Sequence, residues 1–147
     1  MADADRDRLE PLRQLRHVDQ QVSAGQLGEA QAESVRRQRA LAQARQALAE
    51  AQARLERAQA RLLSLSAEGT TAERLALAAA YSARCRTLLR QAERDRDGAA
   101  AQEAVGELAL GQAQDGLAQA RARRAVLERY RDRTRHEARR LREQRAE

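Results

Sequence analysis

Between residues 41 and 65 leucine returns at every seventh position: Leu41, Leu48, Leu55 and Leu62. Three residues after each comes a second apolar position: Ala44, Ala51, Ala58 and Leu65. Alternating steps of three and four set all eight on one stripe of an α-helix, the a and d positions of a coiled-coil heptad. The Gln, Arg, Glu and Ala between them favour helix. Three of the eight are alanine, so a partner helix can approach closely. A single helix cannot bury such a stripe, and the rest of the chain supplies a second one.

The first helix is predicted over about residues 10–65. Pro11 fits a first helical turn, where its missing N–H is not needed. Leu12, Leu15, Val18 and Val22 continue with helical spacing, and residues 1–10, which alternate acids and arginines, are expected to fray. Gly25 and Gly28 flank Leu27, and each costs about 1 kcal/mol against alanine inside a helix. Residues 66–71 carry the signals of a reversal. Gly69 suits a helix C′ position, where φ is positive. Thr70, with Glu73 three residues on, has the spacing of a capping box.

The second helix is predicted over about residues 71–142. Leu75, Leu77, Tyr81, Cys85, Leu88, Leu89 and Ala92 line its first part. A looser section follows, with Gly98, Gly106, Gly111 and Gly116 spaced through it. The seam returns as Leu110, Ala113, Leu117 and Ala120. Beyond Arg121 it retains Leu127, Thr134, Ala138 and Leu141, with Arg124 and Arg131 at the alternate positions. Folding at Gly69 makes facing residue numbers total roughly 137–139 for an antiparallel pair. Leu62 then faces Leu75, Leu48 faces Leu89 and Leu27 faces Leu110. The expected fold is all-α: one domain over 1–147, a long antiparallel two-helix coiled-coil hairpin. An unbroken helix in a parallel dimer is the alternative.

Composition narrows the function. Charged residues make up 34 % of the chain, Phe and Trp are absent, and much of the 42 % hydrophobic content is alanine. That combination with heptad periodicity reads as coiled coil. There is no apolar run of transmembrane length, and Met1–Glu10 has no apolar core of a signal peptide. Cys85 is alone, which fits a reducing cytoplasm, and it is expected as a buried structural thiol. No phosphate-binding glycine loop or nucleophile elbow occurs. His17 and His136 fall far apart in a hairpin, so no metal site is expected. A two-helix fold offers no concave substrate pocket. The reading is therefore a non-enzyme without cofactors.

Charge separates the tail from the rest. Residues 1–120 hold 17 arginines and 17 acids, whereas residues 121–147 hold 11 arginines and 5 acids, so the whole excess of +6 sits in the last 27 residues. Such a helix could track nucleic-acid phosphates. Acids interrupt it at near-helical intervals, however, and the chain has no Asn to read adenine. Leu127 and Leu141 are too sparse for a membrane-binding face. An acidic surface of a protein partner fits the tail better than either. Homo-oligomers, covering what a two-helix seam leaves open, are a further alternative.

Three stretches carry a resemblance: Pro11–Arg16, Arg36–Leu63 and Val126–Arg145. With an antiparallel hairpin and a longer basic second helix, the chain resembles the FliJ/YscO family, the central stalk proteins of flagellar and type III secretion ATPases. The resemblance covers the whole chain as architecture. It implies a cytoplasmic protein at the inner face of a secretion apparatus. The hairpin's ends would enter the pore of a hexameric ATPase and its tip would reach toward the export gate. Promotion of ring assembly, coupling of ATP hydrolysis to export, and escort of secretion chaperones would follow. On that reading Arg124, Arg131, Arg135 and Arg139 are expected to bind an acidic pore, because guanidinium pairs in a bidentate way with carboxylates.

Overall fold

The structure is a computed structural model that describes the backbone of residues 2–146 and the side chains of residues 9–146. It is an all-α hairpin of two helices that pack against each other: α1, Ala2–Glu68, and α2, Ala72–Ala146. No strand occurs among the described residues. Both helices exceed their predicted limits. α1 begins at Ala2 and runs through Pro11, which therefore lies in its interior and not in its first turn. The glycines of both helices are helical as well, so neither Gly25–Gly28 nor Gly98–Gly116 breaks the chain.

The reversal lies where its signals predicted, with one change in the cap. Gly69 has φ +71°. The amide of Thr70 donates to the carbonyl of Leu65 at 3.5 Å, the long bond of a Schellman ending. The N-cap is Thr71 and not Thr70: Thr71 Oγ1 accepts from the amide of Arg74 at 3.4 Å. Starting α2 at Ala72 leaves Thr71 as the last non-helical residue, and only that position can offer its hydroxyl to the first free N–H groups.

The chain divides into two compact units. The first to describe comprises Glu33–Glu107 and contains the reversal. Its seam is apolar. Leu41, Ala58, Leu65 and Cys85 are buried, and Leu48, Leu55, Leu62, Leu75 and Leu89 are half-buried. Ala78 and Ser82 complete the stripe on α2, and Ser82 is fully buried with its hydroxyl unpaired. Leu77, Tyr81 and Leu88 do not line the seam, contrary to expectation. All three are exposed, because the strict heptad through Leu75 and Leu89 reaches Ala78, Ser82 and Cys85 instead.

A polar layer lies at the far end of this unit. Arg37 Nε donates to Glu33 at 3.0 Å, and Arg37 Nη1 donates across to the backbone carbonyl of Gln102 at 3.3 Å. Arg37 and Gln102 total 139, inside the expected register. Gly106 makes room for this side chain. A Cβ there would stand 2.9 Å from Arg37 Cδ, whereas the other six glycines have open space. Ser34 is buried in the same layer. Arg36 and Arg37 hold the Glu33 carboxyl below its ordinary range, chiefly through the hydrogen bond from Arg36.

The second unit comprises Met1–Ala32 and Leu108–Glu147. Leu117 and Ala120 are buried, and Leu27, Leu110 and Ala113 are half-buried. Further toward the termini the seam positions become polar: Arg13, Arg16, Gln20 and Ser23 on α1 face inward, with Arg124, Arg131 and Thr134 on α2. Leu12, Leu15, Val18 and Val22 are exposed. The helical spacing read from them is real, but it describes an outer stripe and not the seam.

Candidate functional site

The basic tail belongs to the second unit, and the heptad decides where each arginine goes. Steps of four and three from Leu117 reach Ala120, Arg124, Leu127, Arg131, Thr134 and Ala138, all buried or half-buried. Arg124 and Arg131 are therefore part of the hairpin's own seam. Arg124 Nη1 donates to Gln20 Oε1 at 2.9 Å and lies 3.3 Å from His17 Nδ1. Arg131 Nη1 lies 3.9 Å from Glu128 Oε2. Glu128 in turn accepts from Arg13 Nε at 3.3 Å, and Arg13 also reaches Glu10 at 3.6 Å. Each half-buried guanidinium of this seam has a polar neighbour on the facing or the same helix. Pairs as exposed as these contribute little, about 0–1 kcal/mol each.

Arg135 and Arg139 occupy different ground. Both are exposed, one turn apart. They line an open cleft of about 560 Å³ together with Arg142, Leu127, Ala138 and Leu141, and with Leu9 and Arg13 from α1. Glu10, Glu128 and Glu137 are its acidic residues. The four arginines singled out from the sequence therefore split into two pairs. Arg124 and Arg131 make contacts inside the hairpin, Arg131 at the wall of the same cleft, and Arg135 and Arg139 are exposed beside its apolar residues. Guanidinium groups in that position can bind carboxylates of a partner in a bidentate manner. They offer no acid, base or nucleophile for chemistry.

The other expected landmarks fall as follows. Cys85 is a free, buried thiol. His17 meets Arg124, and no cluster of metal-binding side chains occurs among the described residues. No helix is long and apolar enough to cross a membrane.

Two surfaces were not anticipated. One is the outer stripe Leu12, Leu15, Val18 and Val22. The other is a groove in the first unit lined by Arg54, Arg57, Arg61 and Tyr81 over Ala58 and Ala78. A strict count of sevens back from Leu41 and on from Leu75 would have exposed both, since it assigns the seam to polar residues and leaves the leucines outside.

Comparison with known proteins adds no neighbour: no family model, no curated protein and no solved structure matches the chain.

Proposed function

We propose that the protein is a non-enzymatic coiled-coil stalk of a type III or flagellar secretion apparatus, joining a hexameric ATPase to its export gate. The observation that carries this reading is the basic end of α2. Eleven arginines fall within residues 121–147, and Arg135 and Arg139 stand exposed at an open cleft instead of being used by the hairpin. The two-helix fold is compatible with it, since two packed helices leave their outer faces free for partners. A cytoplasmic place at the inner membrane apparatus, and contact with secretion chaperones, belong to the same proposal.

The test is stimulation of a type III secretion ATPase from the same genome by the full chain. Arg135→Glu with Arg139→Glu should abolish stimulation and leave the melting temperature unchanged. Arg124→Glu with Arg131→Glu should lower the melting temperature as well, because these two serve the seam. A chain that neither binds nor stimulates the ATPase contradicts the proposal.

A second reading, a structural homo-oligomer, is favoured by one observation: the exposed stripe Leu12, Leu15, Val18 and Val22. Light scattering of the purified chain separates the two. A stable dimer that Leu15→Lys with Val22→Lys converts to monomer would support the oligomer. A monomer at all concentrations would exclude it.

A further inference from the structure

The unit Glu33–Glu107 carries a surface that the tail-based reading does not use. Arg54, Arg57 and Arg61 stand at i, i+3 and i+7 on α1, one continuous stripe. Across a shallow trough of about 450 Å³, floored by Ala58 and Ala78, lies Tyr81 of α2. Leu77 is one turn before Tyr81 and Leu88 two turns after it, on the same side of α2. These three are 67 %, 57 % and 46 % exposed. Arg84, three residues beyond Tyr81, is exposed on that side as well.

Charge in the trough is unbalanced. No carboxylate lines it. Arg54 reaches Glu50 only at 4.0 Å. Arg57 donates to the Ala53 carbonyl of its own helix. Arg61 has no ion pair among the described residues. Arg36 and Arg37 of the same unit, by contrast, both bond to Glu33, and what sets the groove apart from other unpaired arginines is that three lie on one stripe beside exposed apolar side chains. Three adjacent cations that share one long ion pair among them repel one another, and a line of large apolar side chains beside them is left in water. An occupant that brings carboxylates and apolar side chains together relieves both.

We propose that this groove docks an acidic amphipathic helix of another protein. Its apolar side chains at i, i+4 and i+11 would lie on Leu77, Tyr81 and Leu88, as in helix-in-groove recognition. Its flanking carboxylates would meet the forks of Arg54, Arg57 and Arg61. Nucleic acid satisfies the arginines and could stack on Tyr81, but it leaves both leucines uncovered. The proposal does not depend on the ATPase reading, which uses the other unit.

The test measures binding of the full chain to a fluorescent three-heptad helical peptide with Leu at a and d and Glu at e and g. The wild-type chain should bind, with affinity falling as salt rises. Arg54→Glu, Arg57→Glu and Arg61→Glu together should weaken binding by about tenfold or more. Leu77→Ala with Tyr81→Ala should weaken it by a similar factor without any change of charge. The charge-matched triple Arg45→Glu, Arg86→Glu and Arg90→Glu, on other faces of the unit, should change it by no more than about twofold. Unchanged helical circular dichroism in each variant confirms that the hairpin is intact. Equal losses in the two triples would assign the binding to net charge alone and overturn the proposal. So would insensitivity to Leu77→Ala with Tyr81→Ala, or no binding at about 100 µM peptide, an affinity weaker than any specific docking requires. Tighter, groove-dependent binding of duplex DNA than of the peptide would assign the groove to nucleic acid and overturn it equally.

Discussion

The two units share one fold and one heptad but invert its chemistry. In Glu33–Glu107 leucine and alanine occupy most of the seam, and Arg54, Arg57 and Arg61 stand outside it, with Arg37 inward only in the polar layer at its end. In the unit of the chain ends, arginine, glutamine and serine occupy much of the seam, and Leu12, Leu15, Val18 and Val22 stand outside. The difference shows what heptad spacing alone does and does not specify. Spacing sets which positions face the partner helix. The residues at those positions set how much free energy the pairing releases. A buried leucine contributes about 1.5–3 kcal/mol, whereas an exposed ion pair such as Arg13–Glu128 contributes about 0–1 kcal/mol. The first unit is therefore the stable part of the hairpin, and the second keeps its register through weaker polar contacts while presenting apolar and basic groups outward.

The largest expected effect separates the two leucine environments. Leu41, buried in the seam, should cost about 2–5 kcal/mol on substitution by alanine. Leu15→Ala, at an exposed site, should stay within about 0.5 kcal/mol. Urea denaturation of both variants measures this. Equal losses would mean that the outer stripe is buried, as it would be in an oligomer.

A smaller effect distinguishes glycines of the two units. Gly116→Ala, in open space in the unit of the ends, should stabilise by about 0.5–1 kcal/mol through helix propensity. Gly106→Ala should give no such gain, because its Cβ would displace Arg37 and its bond to Gln102. Thermal melts of both variants decide it. Equal stabilisation would mean that the Arg37 layer is dispensable.

The smallest effect concerns pH. The folded-state pKa of Glu33 is lowered, first by Arg36 and then by Arg37. Its contribution is therefore present above the ordinary carboxylate range and lost as pH falls through the lowered value. The Glu33 side chain remains well solvated, so the contribution is small. Glu33→Gln should be slightly less stable than the wild type at neutral pH and indistinguishable from it well into acid. A difference that grows on acidification would reverse the sign.

The hairpin was legible because its signals are local and strong. Leu41 to Leu65 repeat without interruption, and Gly69 is the sole residue with positive φ among the described residues. The seam outside that leucine run was not legible by the same eye. Apolar residues draw a reader to Leu12, Leu15, Tyr81 and Leu88, whereas the chain keeps its register through Arg13, Ser34 and Ser82. Once the long apolar run fixes the phase, slipping to a new stripe would require unwinding a helix already paired. Local composition therefore loses to register. The same reason accounts for Arg124 and Arg131, which read as partner-facing and lie instead against His17, Gln20 and Glu128. The cap at Thr71 was missed by one residue, within the usual uncertainty of helix ends.

Amide hydrogen exchange along both helices tests the inversion most directly, since local opening follows contact density and propensity. The expected result is slow exchange over residues 41–65 and 75–92. Exchange should be markedly faster over 12–28 and 108–134, with Leu117–Ala120 the best protected part of that unit. Protection that is uniform along α1 and α2, or greater at the chain ends than around Leu41–Leu65, would contradict it.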